Sequence, residues 1–211
     1  MFTIHNLQYK DIVSIEQLEI KEGKITCLFG ESGSGKSTIL KMLNNMLTPD
    51  HGEIMYYNKN LLDYSPIELR KEVVMLGQEP IMFEGDIRSN LTIGLTFSGK
   101  DIVEDMVLEE LLKKLQLHKG LDEDANQLSG GEKQRIAFGR VILMNANVYL
   151  LDEPTSALDE DTEQLVMQYF TNYLKEEKKT AVLVTHSKDV AKKYADRIVY
   201  MHELNDKKVT S

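Results

Sequence analysis

Short apolar runs and amphipathic stretches alternate along this 211-residue chain. The runs are rich in β-branched residues and end at turn residues, a pattern typical of strands. The predicted strands are 2–7, 14–20, 25–29, 53–57, 72–76, 147–151, 180–185 and 197–201. From residue 25 onward strands and helices alternate, which predicts a mostly parallel, doubly wound sheet.

Apolar residues that recur every three or four positions predict helices over 39–47, 101–117, 159–177 and 188–195. Another helix begins after Gly131, and a capping box marks one more start, with Ser65 as N-cap, Pro66 in the first turn and Glu68 reaching back. The stretch 79–117 has no strand pattern, so we expect a helical insertion in an α/β core. The polar end 205–211 is expected to fray.

Composition excludes several classes of protein. The chain carries 34 acidic residues against 25 lysines and arginines, a net charge of −9, which argues against a nucleic-acid-binding protein. Its single cysteine, Cys27, lies in a predicted strand and can form no intrachain disulfide. No apolar run approaches the roughly 18 residues that span a bilayer, and the N-terminus does not read as a secretory signal. We therefore expect a cytoplasmic protein that reaches a membrane only through a partner.

The segment 30–38 matches the phosphate-binding pattern G-x-x-x-x-G-K-[ST]. Its residues are Gly30, Glu31, Ser32, Gly33, Ser34, Gly35, Lys36, Ser37 and Thr38. Glycines let successive N–H groups turn inward toward phosphate oxygens, and the following helix adds the positive end of its dipole. Lys36 can reach the β- and γ-phosphates, and Ser37 offers a hydroxyl ligand to Mg²⁺. The flanking strand and apolar helix argue against a flexible Gly/Ser linker.

An apolar strand delivers two acids, Asp152 and Glu153, at its carboxyl end. In an open parallel sheet that end faces the ligand crevice. Adjacent side chains on a strand point in opposite directions, so the two acids can take different roles. Asp152 can hold Mg²⁺, directly or through water, while Glu153 orients and deprotonates an attacking water.

The segment Leu128-Ser129-Gly130-Gly131-Glu132 opens a predicted helix and continues as Lys133-Gln134-Arg135. A hydroxyl, bare backbone N–H groups and a helix N-terminus make it a second anion cradle. One ATP does not need two such cradles from one chain. Together with the phosphate loop and the acidic strand, this segment resembles the signature motif of the nucleotide-binding subunits of ABC-type ATPases.

The resemblance covers nearly the whole chain and implies how the two cradles are used. The signature residues of one subunit would contact ATP held by the phosphate loop of another, in a head-to-tail homodimer or heterodimer that encloses two ATP. The resemblance places the D-loop, which lies at the dimer contact, at Ser156, Ala157, Leu158 and Asp159.

Three more positions match family residues. Gln78 resembles the Q-loop glutamine, which contacts Mg²⁺ and the nucleophilic water, and His186 resembles the H-loop histidine, which contacts the γ-phosphate. Tyr9 resembles the aromatic residue that stacks on adenine, with Phe2 and Tyr56 as nearby alternatives. The family usually has small residues such as alanine where this chain has Phe138-Gly139-Arg140. Glycine inside a helix costs up to about 1 kcal/mol relative to alanine.

The implied fold is a P-loop NTPase core with a mostly parallel sheet, an N-terminal antiparallel β subdomain and an inserted α-helical subdomain. We predict one domain over 1–211, with the core at about 1–77 and 144–211 and the helical subdomain at about 78–143. The implied function is that of an ATPase subunit, peripheral on the inner face of the cell membrane, that powers a separately encoded permease.

The segment 78–95 should receive the permease, and its sequence is similar to that of small export-type ATPases, including those implicated in metal or iron efflux.

Two other classes of protein are weighed against this function. Soluble ABC ATPases that act on ribosomes or DNA carry two cassettes or long coiled-coil insertions, whereas this chain has one cassette and no heptad run. A nucleotide kinase or GTPase would not explain the signature segment, and Asn58-Lys59-Asn60 lacks the aspartate of a guanine-reading N-K-x-D motif.

Overall fold

The computed structural model describes residues 1–205, so residues 206–211 of the predicted domain and of the predicted frayed end lie outside the described residues. The strands are β1 (Phe2–Tyr9), β2 (Val13–Ile20), β3 (Ile25–Phe29), β4 (His51–Tyr56), β5 (Lys59–Asn60), β6 (Val73–Leu76), β7 (Val148–Asp152), β8 (Thr180–Thr185) and β9 (Arg197–Tyr200). The helices are α1 (Lys36–Leu43), α2 (Pro66–Glu72), α3 (Ile87–Ser98), α4 (Asp105–Lys114), α5 (Gly130–Leu143), α6 (Glu160–Glu176), α7 (Lys188–Tyr194) and α8 (Met201–Asn205).

Two sheets organise these elements. The larger sheet has the order β6-β7-β8-β3-β9, and all its strands pair in parallel. The smaller sheet has the order β2-β1-β4-β5 and is antiparallel. Helices α3, α4 and α5 pack against one another between β6 and β7 in the sequence. The predicted fold class is therefore confirmed, while the domain boundaries at 78 and 143 stay predictions.

The parallel sheet is buried on both faces because its strands send alternate side chains to two different cores. In β7, Tyr149 and Leu151 join a cluster with α3 to α6, whereas Val148 and Leu150 join a cluster with α1 and the antiparallel sheet. A strand with two buried faces reads as a continuous apolar run. That burial explains why β7 and β8 were recognisable from sequence alone.

The starts of the helices predicted at 39 and 101 and the capping box predicted at Ser65 differ from the structure, where α4 begins only at Asp105. Helix α1 begins at Lys36, three residues before the predicted start, because Gly35 is its N-cap. The capping box predicted at Ser65 is wrong: Ser65 is the N-cap, but its side chain makes no capping hydrogen bond. The carboxylate of Glu68 instead lies 2.9 Å from Nζ of Lys71, one turn along the helix. The Glu68 carboxylate therefore pairs with Lys71 and does not complete the predicted capping box with Ser65.

Gly139 allows the helices of the insertion to pack closely. A Cβ atom at this position would lie 2.9 Å from Cδ1 of Leu115 and 2.9 Å from Cδ2 of Leu91. Both distances are shorter than ordinary van der Waals contacts. The glycine that looked costly for helix α5 therefore has a packing role between α3, α4 and α5.

We expect Gly139→Val to lower the free energy of unfolding by about 1–3 kcal/mol, because its branched side chain overpacks the contacts with Leu91 and Leu115. Urea unfolding followed by circular dichroism measures the change. The control is Glu109→Val on the exposed face of α4, which changes only helix propensity, by less than about 1 kcal/mol. Equal losses for the two variants would contradict the packing role.

Candidate nucleotide-binding site

The phosphate loop connects β3 to α1 and depends on glycine at its last turn. Gly35 has φ of 93°, in the left-handed region, and a Cβ atom there would lie 2.7 Å from Cγ2 of Val13. Any other residue would be strained in conformation and would clash with the start of β2. The glycine thus fixes how the loop enters helix α1.

Lys36 is the charged group at the centre of the loop. Its side chain is 7% exposed, and Nζ donates hydrogen bonds to the carbonyl oxygens of Gly30 at 2.8 Å and Glu31 at 2.7 Å. Neither acceptor carries a formal charge, so neither neutralises the ammonium group, which can therefore attract an anion bound by the loop. Oγ of Ser34 is buried and has no hydrogen-bond partner among the described residues, which leaves its hydroxyl able to donate to a phosphate oxygen.

The acidic end of β7 lies beside the start of α1. Oγ of Ser37 donates a hydrogen bond of 3.0 Å to Oδ1 of Asp152, whose side chain is only 4% exposed. A hydroxyl and a carboxylate at this distance are oxygen ligands of the kind that Mg²⁺ prefers, with phosphate oxygens completing its coordination. Among residues 1–205, no cluster of three or more His, Cys, Asp and Glu side chains could hold a metal ion. The Ser37 hydroxyl and the Asp152 carboxylate fit Mg²⁺ that is bound together with a nucleotide.

Glu153 occupies an unusual backbone conformation. Its φ of 50° lies in the left-handed region, which costs of order 1–3 kcal/mol for a residue other than glycine. Its N–H donates to the carbonyl oxygen of Val184 at 3.0 Å, and Oε1 lies 2.9 Å from Nδ1 of His186. The conformation turns Glu153 away from the direction of Asp152, toward the end of β8. Two acids that are neighbours in sequence thus have different surroundings.

A cleft of about 720 Å³ brings these groups together. Gln78, which follows β6, lies on its wall along with the acids and His186. The complete lining is Ile12, Glu31, Ser32, Gly33, Gly35, Lys36, Ser37, Thr38, Gln78, Asp152, Glu153, Val184 and His186. The predicted residues of the phosphate loop other than Gly30 and Ser34 therefore share one cavity with those of the acidic strand, the Q-loop and the H-loop.

Tyr9 is not part of that lining. It is half-buried and packs against the core under the antiparallel sheet. The two alternatives, Phe2 and Tyr56, are fully buried against each other with ring centroids 4.7 Å apart. Ile12, which no sequence pattern singled out, is 42% exposed and lines the cleft together with the phosphate loop. The available signal was an isoleucine within a polar turn.

Cys27 is a core residue, as predicted, and lies close to the charges of the site. It is fully buried in β3, and burial, reinforced by the negative charge of Glu153, raises the pKa of its thiol to about 12. Lys36 opposes that shift. The thiol therefore stays protonated at neutral pH, as expected for a buried core residue.

The signature segment lies outside the cleft of its own chain. Ser129 and Gly130 are exposed, while Leu128 anchors the segment in the core. Ser129 and Glu132 form a capping box: the N–H and Oγ of Ser129 each donate to Oε2 of Glu132 at 2.8 Å, and these bonds lower the pKa of the Glu132 carboxyl. The cradle therefore presents its first turn to solvent in a fixed geometry.

The D-loop residues form a turn between β7 and α6. Ser156, Ala157 and Asp159 are exposed and Leu158 is half-buried. A Cβ atom on Gly131 would lie 2.9 Å from the carbonyl oxygen of Ala157, so the start of α5 and the D-loop pack in direct contact. The structure thus places the signature segment and the D-loop side by side on one surface.

Comparisons with known proteins agree with this geometry. The family model described as "ABC transporter" matches residues 14–156. A methionine import ATP-binding protein, MetN, of Clostridium tetani is 38% identical over 187 residues, which cover 86% of this chain and 58% of MetN. This chain spans between 14% and 58% of the length of four curated relatives that it matches.

Solved structures match over almost the whole chain. The ATP-binding cassette MJ0796, solved as a dimer in a post-hydrolysis state bound to ADP and Pi, is 30% identical with a TM-score of 0.83, and the match covers 95% of this chain and 94% of that one. A bacterial Atm1-family ABC exporter with ATP bound is 26% identical with a TM-score of 0.85, over 94% of this chain and 36% of the exporter. Within residues 1–205, no helix is both long enough and apolar enough to cross a membrane.

More than half of the chain matches the family model, and the same residues build a phosphate loop, an acidic strand end and a signature cradle. This chain belongs to the ABC transporter family, as one of its ATP-binding, ATP-hydrolysing cassettes.

Proposed function

We propose that this protein is the ATPase subunit of an ABC transporter and powers a separately encoded membrane permease from the inner face of the membrane. The observation that carries the proposal is one cleft in which Lys36, the Ser37–Asp152 pair and the Glu153–His186 pair surround the same space. These are the groups that binding and hydrolysis of a nucleoside triphosphate require.

Binding of ATP uses the phosphate loop. The N–H groups of the loop and the start of α1 hold the phosphates, and Lys36 exchanges its carbonyl acceptors for phosphate oxygens. Ser37, Asp152 and Gln78 would hold Mg²⁺, which neutralises charge on the phosphates when it is bound. Ile12 flanks the loop at the mouth of the cleft, so we assign it a contact with the nucleoside, beside the stacking role predicted for Tyr9.

Hydrolysis needs a base for the attacking water. We assign that role to Glu153, which takes a proton from water as its oxygen bonds to the γ-phosphorus and the bond to the β-phosphate oxygen breaks, giving ADP and phosphate. His186 lies 2.9 Å from the Glu153 carboxylate, where it can orient that group and contact the γ-phosphate. Gln78 stands on the cleft wall, where it can position the water.

The exposed signature cradle supports a dimer mechanism. The cradle is exposed and does not line the cleft of its own chain, which suits it to a nucleotide bound by another subunit, and the related cassette MJ0796 was solved as a dimer. We therefore propose a head-to-tail dimer in which Ser129 to Gly131 of each subunit close over ATP on the other, with the D-loops at the contact. The partner is a second copy of this chain or a related ATPase subunit.

An apolar patch formed by Ile81, Phe83 and Phe97, in and next to segment 78–95, supports permease docking. Phe83 and Phe97 pack edge to face with centroids 6.2 Å apart, yet Phe97 is 73% exposed and Ile81 is 67% exposed. Arg140 of α5 holds this surface by donating to the carbonyl oxygens of Ile81 at 3.0 Å and Asn90 at 2.7 Å. An apolar patch held by the signature helix is suited to a membrane subunit that must respond to dimer closure.

We expect Glu153→Gln to bind ATP normally, to hydrolyse it about 100-fold more slowly or worse, and to remain dimeric with Mg-ATP. The amide keeps the shape of the side chain but cannot accept the proton. Sedimentation velocity and phosphate release measure the two effects. Glu109→Gln, an exposed carboxylate on α4, is the matched control and should behave as wild type. Normal hydrolysis by Glu153→Gln would contradict the general-base assignment.

We expect Lys36→Ala to raise the Kd for ATP about tenfold or more, because a charge-assisted hydrogen bond to phosphate is lost. Titration with a fluorescent ATP analogue gives the Kd. Lys41→Ala removes an exposed lysine from the same helix and should leave the Kd unchanged. An unchanged Kd for Lys36→Ala would remove its phosphate role.

We propose that the transporter works as an exporter and that its substrate is a metal ion such as iron. The support is the resemblance of segment 78–95 to export-type ATPases and the match to an Atm1-family exporter; MetN is an import protein by name. In inside-out vesicles that contain the cognate permease, ATP should drive the metal ion into the lumen, and Glu153→Gln vesicles are the control. ATP-driven flux in the import direction would contradict this proposal.

A further inference from the structure

A buried glutamine lies between the signature helix and the catalytic turn. Gln134 belongs to α5, five residues after Ser129, and its side chain is 1% exposed. Nε2 donates a hydrogen bond of 3.0 Å to the carbonyl oxygen of Glu153, and Oε1 accepts one of 2.9 Å from the N–H of Ala157. The amide thus bonds to the backbone at both ends of one turn, which runs from Glu153 to Ala157.

The hydrogen bond from Gln134 holds the carbonyl group of Glu153, a residue in a strained backbone conformation. Glu153 adopts a φ of 50°, and the N–H of Glu153 is tied to Val184 at the end of β8. Its carbonyl oxygen is tied by Gln134 and, at a longer 3.3 Å, by the N–H of Ser156 within the turn itself. Gln134 is therefore the side chain from α5 that fixes the peptide group following Glu153.

The bond to Ala157 acts on the D-loop. Gly131 already brings the first turn of α5 against the Ala157 carbonyl oxygen, so the helix and this loop meet at two adjacent points. The backbone of Glu153, the D-loop and the helix that carries the signature cradle consequently share one buried amide. A shift of α5 would move the Glu153 peptide with it.

We propose that Gln134 is a positioning residue for hydrolysis: it holds the backbone of Glu153 in place from the signature helix. The inference rests on the proposed role of Glu153 as general base. It assigns Gln134 no contact with ATP or water. Loss of the amide should therefore lower kcat and leave the affinity for ATP unchanged.

Gln134→Met tests this role because it keeps the volume of the side chain and removes both hydrogen bonds. We expect kcat for ATP hydrolysis to fall about 10- to 100-fold, as for a small displacement of a catalytic group, while the Kd for ATP changes less than twofold. The matched control is Asn44→Leu, which removes another buried amide, bonded to the Val73 carbonyl oxygen at 2.6 Å outside the site. It should lower the thermal unfolding midpoint and leave kcat within twofold of wild type.

The outcomes separate this inference from the proposed function. If Gln134→Met keeps the wild-type kcat, or if its Kd for ATP rises as much as its kcat falls, the positioning role is overturned, while a strongly impaired Glu153→Gln leaves the proposed function standing. If Glu153→Gln hydrolyses ATP at the wild-type rate, both fall. Should Gln134→Met not fold, Gln134→Asn carries the same test, since it keeps an uncharged amide whose side chain is one methylene too short to bond both the Glu153 carbonyl oxygen and the Ala157 N–H.

Discussion

Because β3 and β7 both pair in parallel with β8, the segments that follow all three strands leave the sheet at the same edge. That pairing places Lys36 opposite Asp152 and His186, although these residues are spread over 150 positions of sequence. The apolar side chains that bury both faces of the strands hold the register. The chemistry of the site therefore depends on a packed sheet rather than on any one loop.

The polar groups of the site are held by contacts that cross between elements. Ser37 of α1 is bonded to Asp152 of β7, and Glu153 is bonded to the end of β8. The helix that carries the signature segment adds a further contact through its buried glutamine, so the proposed ATP-contacting surface is connected to Glu153, the proposed general base, by one side chain. In a dimer, such a connection would let closure at one site influence the geometry of the other.

Local sequence signals predicted well where they coincided with tertiary packing. Strand β8 was predicted with its observed bounds because its β-branched residues are buried on both faces. The capping box predicted at Ser65 is wrong because Glu68 pairs with Lys71, one turn along the helix. The sequence pattern places both the Ser65 N–H and Lys71 within reach of Glu68 and does not show which of them it contacts. The adenine-stacking role of Tyr9 stays a prediction; Tyr9 lies outside the lining of the cleft, which includes Ile12 instead.

The sequence by itself determined the α/β class, the strands of the parallel sheet, the phosphate loop, the acidic strand end and the signature segment, since each is encoded by neighbouring residues with a fixed spacing or period. Only the tertiary structure decided that Glu153 lies against His186, that Gly139 packs against two leucines and that Gln134 joins the signature helix to the turn after Glu153. These features depend on distances between segments far apart in the chain. Such distances exist only once the sheet and the helical insertion have packed together.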